Sequence, residues 1–298
     1  MKRSRSAIAL LITIMFVIVI SVAIGYGLKQ VNSASSIVKE EKFIYQSSII
    51  VEDVLNILKT SPDIARILDS NSSSDFYLFL SQASFIPLQV SGFDIVLKIN
   101  SARAKFNPKQ LNRDNIDLMK QFMNNHNVNS QYVDILIDTI SGIKADNSYN
   151  STIFDEKPYL FRDYIADNKH LQEINKFYEQ EYNDPSLKNI DFEELFYYGS
   201  DANVSIDLNY ATPTVLELLL GATKERAEFI SDGMGSYTEL SDLNLDDDEA
   251  ESLKKFKTSF FEPYLYIEVE IMQEEMKSNI SFEYDIKKKV GYNFVYKI

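Results

Sequence analysis

Residues 7–28 read AIALLITIMFVIVISVAIGYGL, behind a basic head, Met1-Lys-Arg-Ser-Arg-Ser6. These 22 residues carry no charge. At 1.5 Å per residue they make ~33 Å of helix, enough to cross a hydrocarbon core of ~30 Å. The positive charges precede the span, which predicts a cytoplasmic N-terminus and an external chain from residue 29 onward. The helical pattern does not stop at the membrane. Ile37, Ile44, Val51, Leu55 and Leu58 recur at helical spacing with Val54 beside them, and Lys39, Glu40, Glu41, Gln46, Glu52 and Asp53 fill much of the remaining surface. Ser61-Pro62 ends the run, because proline pushes its predecessor out of the α region. Pro62 then opens a short helix, Asp63 to Leu68, with Ser61 as its cap. A helix from 7 to 60 would be ~80 Å long. Its first half faces lipid, and its second half needs a soluble body over one apolar stripe.

Three readings of the N-terminus compete. A secretory signal peptide has an apolar region of ~7–15 residues and a small-residue cleavage site. This run is longer, and no A-x-A site ends it. A plain signal anchor fits the hydropathy. The third reading is a class III leader cut on the cytoplasmic side, before the apolar run. Arg5-Ser-Ala-Ile-Ala-Leu-Leu-Ile12 resembles the R-G-x-A-L-L-I start of type IV pilins and pseudopilins. The processing residues are then Ser6, Ala7 and Ile8, with the cut at Ser6/Ala7 or Ala7/Ile8. Two departures stand out. The usual Gly at the cut is replaced by Ser6 or Ala7, and the usual Glu at the fifth mature position by Leu11 or Ile12.

Composition agrees with an exported protein. There is no Cys, which rules out disulfides and thiol chemistry. The net charge is −14, and setting aside Lys2, Arg3 and Arg5 leaves −17 outside the membrane. So acidic an exterior argues against nucleic acid or anionic lipid as partners. Catalytic fingerprints are lacking. The chain holds no G-x-S-x-G, P-loop, H-E-x-x-H or Rossmann motif, which predicts a protein without catalysis of its own.

Beyond the long helix the order is β, α, β. A short apolar helix around Phe76–Leu80 precedes strand signals that begin near Phe85. Phe93, Ile95, Leu97 and Ile99 alternate with Asp94, Val96, Lys98 and Asn100 behind a Ser91-Gly92 turn, and Ala102, Ala104 and Phe106 prolong one face. From Asn107 the period becomes helical. The predicted helices are Gln110–Asn125, Gln131–Ile140, Leu171–Glu181, Asp191–Tyr198, Pro213–Leu220, Lys224–Asp232 and Asp246–Phe256. Thr212-Pro213 supplies a cap and an N1 proline, and Asp246 with Glu249 has capping-box spacing. Strands then return. Leu265, Ile267, Val269 and Ile271 form one apolar set, and Ile280, Phe282, Tyr284 and Ile286 another. Lys287–Asn293 turns the chain into a last strand, Phe294–Ile298. Pairing these strands with 93–99 would close one antiparallel sheet around the long helix.

Read in order, these segments resemble the minor pseudopilin K of type II secretion systems. The basic head with Ala9-Leu-Leu-Ile12 matches its start, including the missing Glu. Ala104-Lys-Phe-Asn-Pro-Lys-Gln-Leu111 is similar to its G-R-F-N-L-N-N-L segment. Tyr132-Val-Asp-Ile-Leu-Ile-Asp138 resembles L-V-D-W-I-D, with Thr139 near the place of the usual Trp. Pro158-Tyr159 and Phe192-Glu-Glu-Leu195 resemble its P-Y and E-E-L elements. Ile206-Asp-Leu-Asn-Tyr-Ala-Thr-Pro-Thr-Val-Leu216 resembles I-N-V-N-T-A-P-P-E-V-L and is the most specific match. The resemblance implies an α+β, type IV pilin-like fold with a large all-α insertion of helix-hairpin-helix or SAM-like type. The divisions are a leader (1–7), a transmembrane helix (8–28), the first pilin-like part (29–106), the insertion (107–257) and the C-terminal strands (258–298). It implies a single-pass protein of the inner membrane, its bulk periplasmic, processed and methylated by prepilin peptidase. It would sit at the tip of a short pseudopilus. Its partners would be other minor pseudopilins, the major pseudopilin below and, at the tip, secreted cargo. A carboxylate within the membrane is expensive unless paired. A tip subunit has no neighbour above it, so Leu11 and Ile12 suit that position; they suit a plain anchor equally.

Two other readings stay open: a membrane-anchored helix-hairpin-helix module for DNA uptake, and a minor pilin of a type IV pilus. Asn209–Leu220, Gly221-Ala-Thr223, Lys224–Asp232 and Gly235-Ser-Tyr237 follow the helix-hairpin-helix outline, with Thr223 at the second glycine position. Residues 201–257 hold 13 Asp or Glu against five Lys or Arg, a poor surface for phosphate. His126 and His170, the only histidines, read as ordinary surface residues. The sequence assigns no cofactor. Calcium is implied as possible by the family, and Asp246-Asp-Asp-Glu249 is the obvious oxygen cluster. The same run is an ideal acidic helix start, so no ligand is assigned.

Overall fold

The computed structural model describes residues 38–90 and 92–297. The predicted leader with Ser6, Ala7 and Ile8, the membrane span and Ile37 lie outside the described residues. Among the described residues no helix is long and apolar enough to cross a membrane.

Residues 38–60 form helix α1. Its core stripe is Phe43, Ser47, Val51, Val54 and Leu58, all buried, at spacings of three and four. The stripe departs from the predicted one. Ile44 and Leu55 are only half-buried, and Phe43 takes the place expected for Ile44 by stacking on Phe93 at 6.3 Å. Ser61 caps α2 (Pro62–Ser70) by accepting from the Ile64 N–H, and Asn71 closes it in a left-handed conformation. Helix α3 (Ser73–Ala83) is capped by Ser72.

One antiparallel sheet carries the body, in the order β1-β2-β5-β6-β7. Its strands are β1 (Ile86–Val90), β2 (Phe93–Ser101), β5 (Tyr264–Gln273), β6 (Met276–Asp285) and β7 (Val290–Lys297). Register sets the apolar residues in rows: Leu97 beside Val269 beside Ile280, and Ile99 beside Ile267 beside Phe282. All six are buried, and Lys98, Glu268 and Ser281 form the matching polar row. One face of the sheet therefore packs inward while the other stays polar. The last hairpin turns earlier than predicted. Lys289 adopts φ 58° and β7 already starts at Val290.

The whole helical block lies between β2 and its neighbour β5. Its helices are α4 (Ile116–Asn125), α5 (Gln131–Ile140), α6 (Ile153–Glu156), α7 (Asn168–Tyr182), α8 (Phe192–Leu195), α9 (Pro213–Leu220), α10 (Lys224–Ser231) and α11 (Asp247–Leu253). A second apolar core forms there, around Met119, Tyr132, Ile135, Phe177, Val215 and Leu219. The sheet has its own core with α1 to α3.

Three predicted helices are shorter than expected by more than one residue. Residues 111–115 are not helical, because side chains capture the backbone. Asn115 Oδ1 accepts from the Asn112 N–H, and Asn112 Oδ1 from the Asp114 N–H. Helix α8 stops at Leu195, because Phe196 pairs with Phe106 in an isolated parallel bridge. That bridge also ends the expected continuation of β2 through Phe106. Helix α11 ends at Leu253 instead of Phe256. A two-residue parallel pair, β3 (Ile206–Asp207) with β4 (Thr258–Ser259), was not foreseen.

Candidate functional site

Helix α1 has an apolar face on the side away from the sheet. Counted at 100° per residue, Val38, Tyr45 and Ile49 lie roughly opposite the buried stripe. They are 63%, 69% and 40% exposed. The sheet edges on either side add to this. Leu88 pairs with Ile95 and Val90 with Phe93, so both continue the inward-facing rows, yet both are exposed. On the far edge Phe294 stacks on buried Phe282 at 5.0 Å, and Phe294 and Tyr296 remain open. Such a surface is suited to packing against other helices.

The two ends of the body differ. Lys39, Glu40 and Phe43 share a pocket with Glu274, Glu275, Met276 and Lys277 at the β5–β6 turn. The start of the described α1 therefore lies at that end. The helical block leaves from the other end, after Ser101 and before Tyr264. Leu55 lies near that end, because a Cβ on Gly291 would meet it at 2.8 Å.

Two polar clusters form the joint between sheet and block. The first is centred on Arg103, between Ala102 and Ala104. Its Nη1 donates to Glu283 Oε2 at 2.7 Å and its Nη2 to Tyr292 Oη at 2.7 Å. Glu283 also accepts from Tyr197 Oη at 2.6 Å and Asn293 Nδ2 at 2.8 Å. The guanidinium lies 4.2 Å from the Tyr264 ring centroid. Burial works against its charge, but Glu283, Tyr292 and Tyr197 outweigh it and hold its pKa above the ordinary value. Burial first, then Glu283, raises the Tyr197 phenol. The cluster joins β6 and β7 of the sheet to Arg103, on the segment leading out of β2, and to Tyr197 of the block.

The second cluster is centred on Asp207, fully buried in β3. Its backbone N–H donates to the Arg103 carbonyl, and its carboxylate accepts from the N–H groups of Asn209 and Glu262. Asn209 in turn donates to the carbonyls of Tyr237 and Phe260 and accepts from the Tyr237 N–H. Burial pushes the Asp207 carboxyl up to about 7, against the pull of its two backbone donors. Neither cluster was anticipated. Arg103 could have been noticed as a lone cation between two alanines at the end of an apolar strand. Asp207 and Asn209 lie inside the motif most similar to pseudopilin K.

The remaining expected sites are structural. Asp246 and Glu249 form a reciprocal capping box at α11, and Glu249 also binds Arg226 at 2.9 Å. No group of three or more His, Asp or Glu side chains stands close enough to hold a metal ion among the described residues. Gly221 ends α9 at φ 62° and Thr223 caps α10, so the second position of the hairpin serves as a helix cap. His126 is half-buried, 2.9 Å from Glu217 and against Phe122. His170 is buried, contrary to the surface reading. Its Nδ1 accepts from the Ala166 N–H, Phe161 packs edge-on, and burial lowers its pKa.

Asp138, within the segment that resembles L-V-D-W-I-D, is also buried. Its two oxygens take four hydrogen bonds from Asn150 and Ser151 at 2.7–3.0 Å, fastening the loop that follows α5. Asp138→Ala should cost about 2 kcal/mol, because it leaves those donors unmade, and should free that loop to proteolysis. Denaturant unfolding with limited proteolysis checks this. Unchanged stability and an equally resistant loop would count against it.

The fold compares well with a solved structure. A chain in the crystal structure of the GspK–GspI–GspJ complex, from the type 2 secretion system of enterotoxigenic Escherichia coli, matches over 82% of this chain and 92% of its own, with TM-score 0.50. The fold is GspK-like. Sequence identity is 12%, so the likeness is one of fold. No protein-family profile matches this chain, and no curated protein sequence does.

Proposed function

We propose that this chain is a minor pseudopilin of a type II secretion system, acting at the tip of the pseudopilus and without catalysis of its own. Residues 8–28 hold it in the inner membrane after the leader is removed. Helix α1 carries the body outward, and its open face with the flanking strand edges packs against other minor pseudopilins. The major pseudopilin assembles below, and the tip assists export of folded proteins across the outer membrane.

The observation that carries the reading is the arrangement of ends. Helix α1, which follows an apolar, basic-headed segment in the sequence, starts at one end of the sheet, and a helical block larger than the sheet lies at the other. Such a block obstructs stacking above it. The GspK-like fold and the order of the resembling motifs support the same reading. The acidic charge disfavours the DNA-uptake alternative.

Two outcomes follow. Intact-mass analysis of the membrane-extracted protein should give a chain beginning at Ala7 or Ile8. A chain beginning at Met1 or beyond Leu28 would remove the leader from the account. Deletion of the gene should abolish or strongly reduce export of the system's cargo, measured as enzyme activity in the medium. Normal export would refute the secretion role.

A further inference from the structure

The acidic charge of the chain is concentrated in one part. Of its 44 acidic and 30 basic side chains, 29 and 14 fall between residues 107 and 257. The helical block therefore carries −15 and the rest of the chain +1. Within the block, residues 224–248 expose eight carboxylates. The two cations of that stretch are already engaged, Lys224 with Glu228 at 3.8 Å and Arg226 with Glu249 at 2.9 Å.

Large apolar side chains stand open among these carboxylates. Phe229 is 68% exposed, Leu240 51% and Met234 40%. Their placement is fixed by what lies beneath. Helix α10 buries Ala227 and Ile230, which turns Phe229 outward. Phe229 lies 5.9 Å from the Arg226 guanidinium, whose Nη2 donates to the Asn244 carbonyl just past the 3-10 turn that Leu240 opens. Gly235, next to Met234, is pressed against Tyr77 of α3, where a Cβ would come within 2.4 Å of the ring. Tyr77 is itself 41% exposed and extends the apolar area onto the body.

A solvated acidic face needs no open phenylalanine, so charge alone does not account for the surface. Its chemistry limits the occupant. Nucleic acid and anionic lipid are repelled. A wholly apolar partner would strip water from carboxylates without pairing them. We propose that the Phe229–Met234–Leu240 surface docks a basic amphipathic segment of a partner protein. The segment's apolar residues rest on those three side chains, and its Lys and Arg face the surrounding carboxylates.

The test uses the full chain in zwitterionic nanodiscs, with empty discs as reference. Three fluorescent probes are titrated: an amphipathic Lys/Leu helix, its scrambled isomer and oligolysine. The amphipathic helix should bind about tenfold tighter than the isomer, and Phe229→Ser with Leu240→Ser should remove that advantage. Affinity should fall with salt. A photoreactive version should cross-link within 224–248 or at Tyr77. Equal affinity for the two isomers, no loss in the double variant, or cross-links confined elsewhere would each overturn the proposal. Circular dichroism of the double variant should match that of the parent chain.

Discussion

Arg103→Ala should destabilise the fold by about 3–5 kcal/mol in denaturant unfolding. The reason is what it leaves behind. Glu283 is 4% exposed and would remain buried without its cation, with Tyr197 and Tyr292 deprived of an organised partner. Breaking a buried ion pair on one side typically costs this much, whereas replacing both partners by apolar groups costs far less. Arg103→Met with Glu283→Leu should therefore recover a substantial share of the loss. The joint also links two separate cores, so the single variant should loosen the coupling between them, seen as a broadened or two-step transition. A loss under about 1 kcal/mol with one sharp transition would show that the cluster is not what fastens the block to the sheet.

The second large effect is a pH dependence. The Asp207 carboxyl sits at about 7 in the folded chain against 3.8 when unexposed to burial. Folding therefore favours the protonated form. The stability it contributes is fully present below pH 3.8 and is lost as pH rises toward 7. Between pH 5 and pH 8 the group should cost the fold about 2–3 kcal/mol. Asp207→Asn removes the titration whatever it does to absolute stability, so its profile should be flatter by that amount over the same window. Parallel profiles for the two proteins would contradict the assignment. The loss should appear first where Asp207 holds the Glu262 N–H, in the segment returning to β5.

Much of the architecture was legible because its elements are long enough to show a period. Helices α5 and α9 begin and end where the pattern places them, the second fixed by Thr212-Pro213. The alternation in β2, β5 and β6 gave the buried face before the register was known. On α1, Val51, Val54 and Leu58 lie buried where the pattern places them, while Phe43, stacked on Phe93, takes the place expected for Ile44. What could not be read was short or non-local. A two-residue parallel pair has no period, and the bridge from Phe106 to Phe196 spans ninety positions of chain. Arg103 finds its partner 180 residues away, and a lone cation gives no sign of which acid it will meet. His170 shows the same limit. Its burial is set by Phe161 and the Ala166 N–H, contacts made by a loop without periodicity. The open face of α1 was legible only in part, because exposure depends on what the body leaves uncovered.

A tip subunit stands only at the end of a filament. An epitope placed in an exposed loop of the helical block, around Asn147, can be labelled with gold on pseudopili produced in excess of their normal length. One label at one end of each filament is the expected result, with none along the shaft. Label distributed along the shaft would contradict it, since a chain crowned by this block could not then be restricted to the tip.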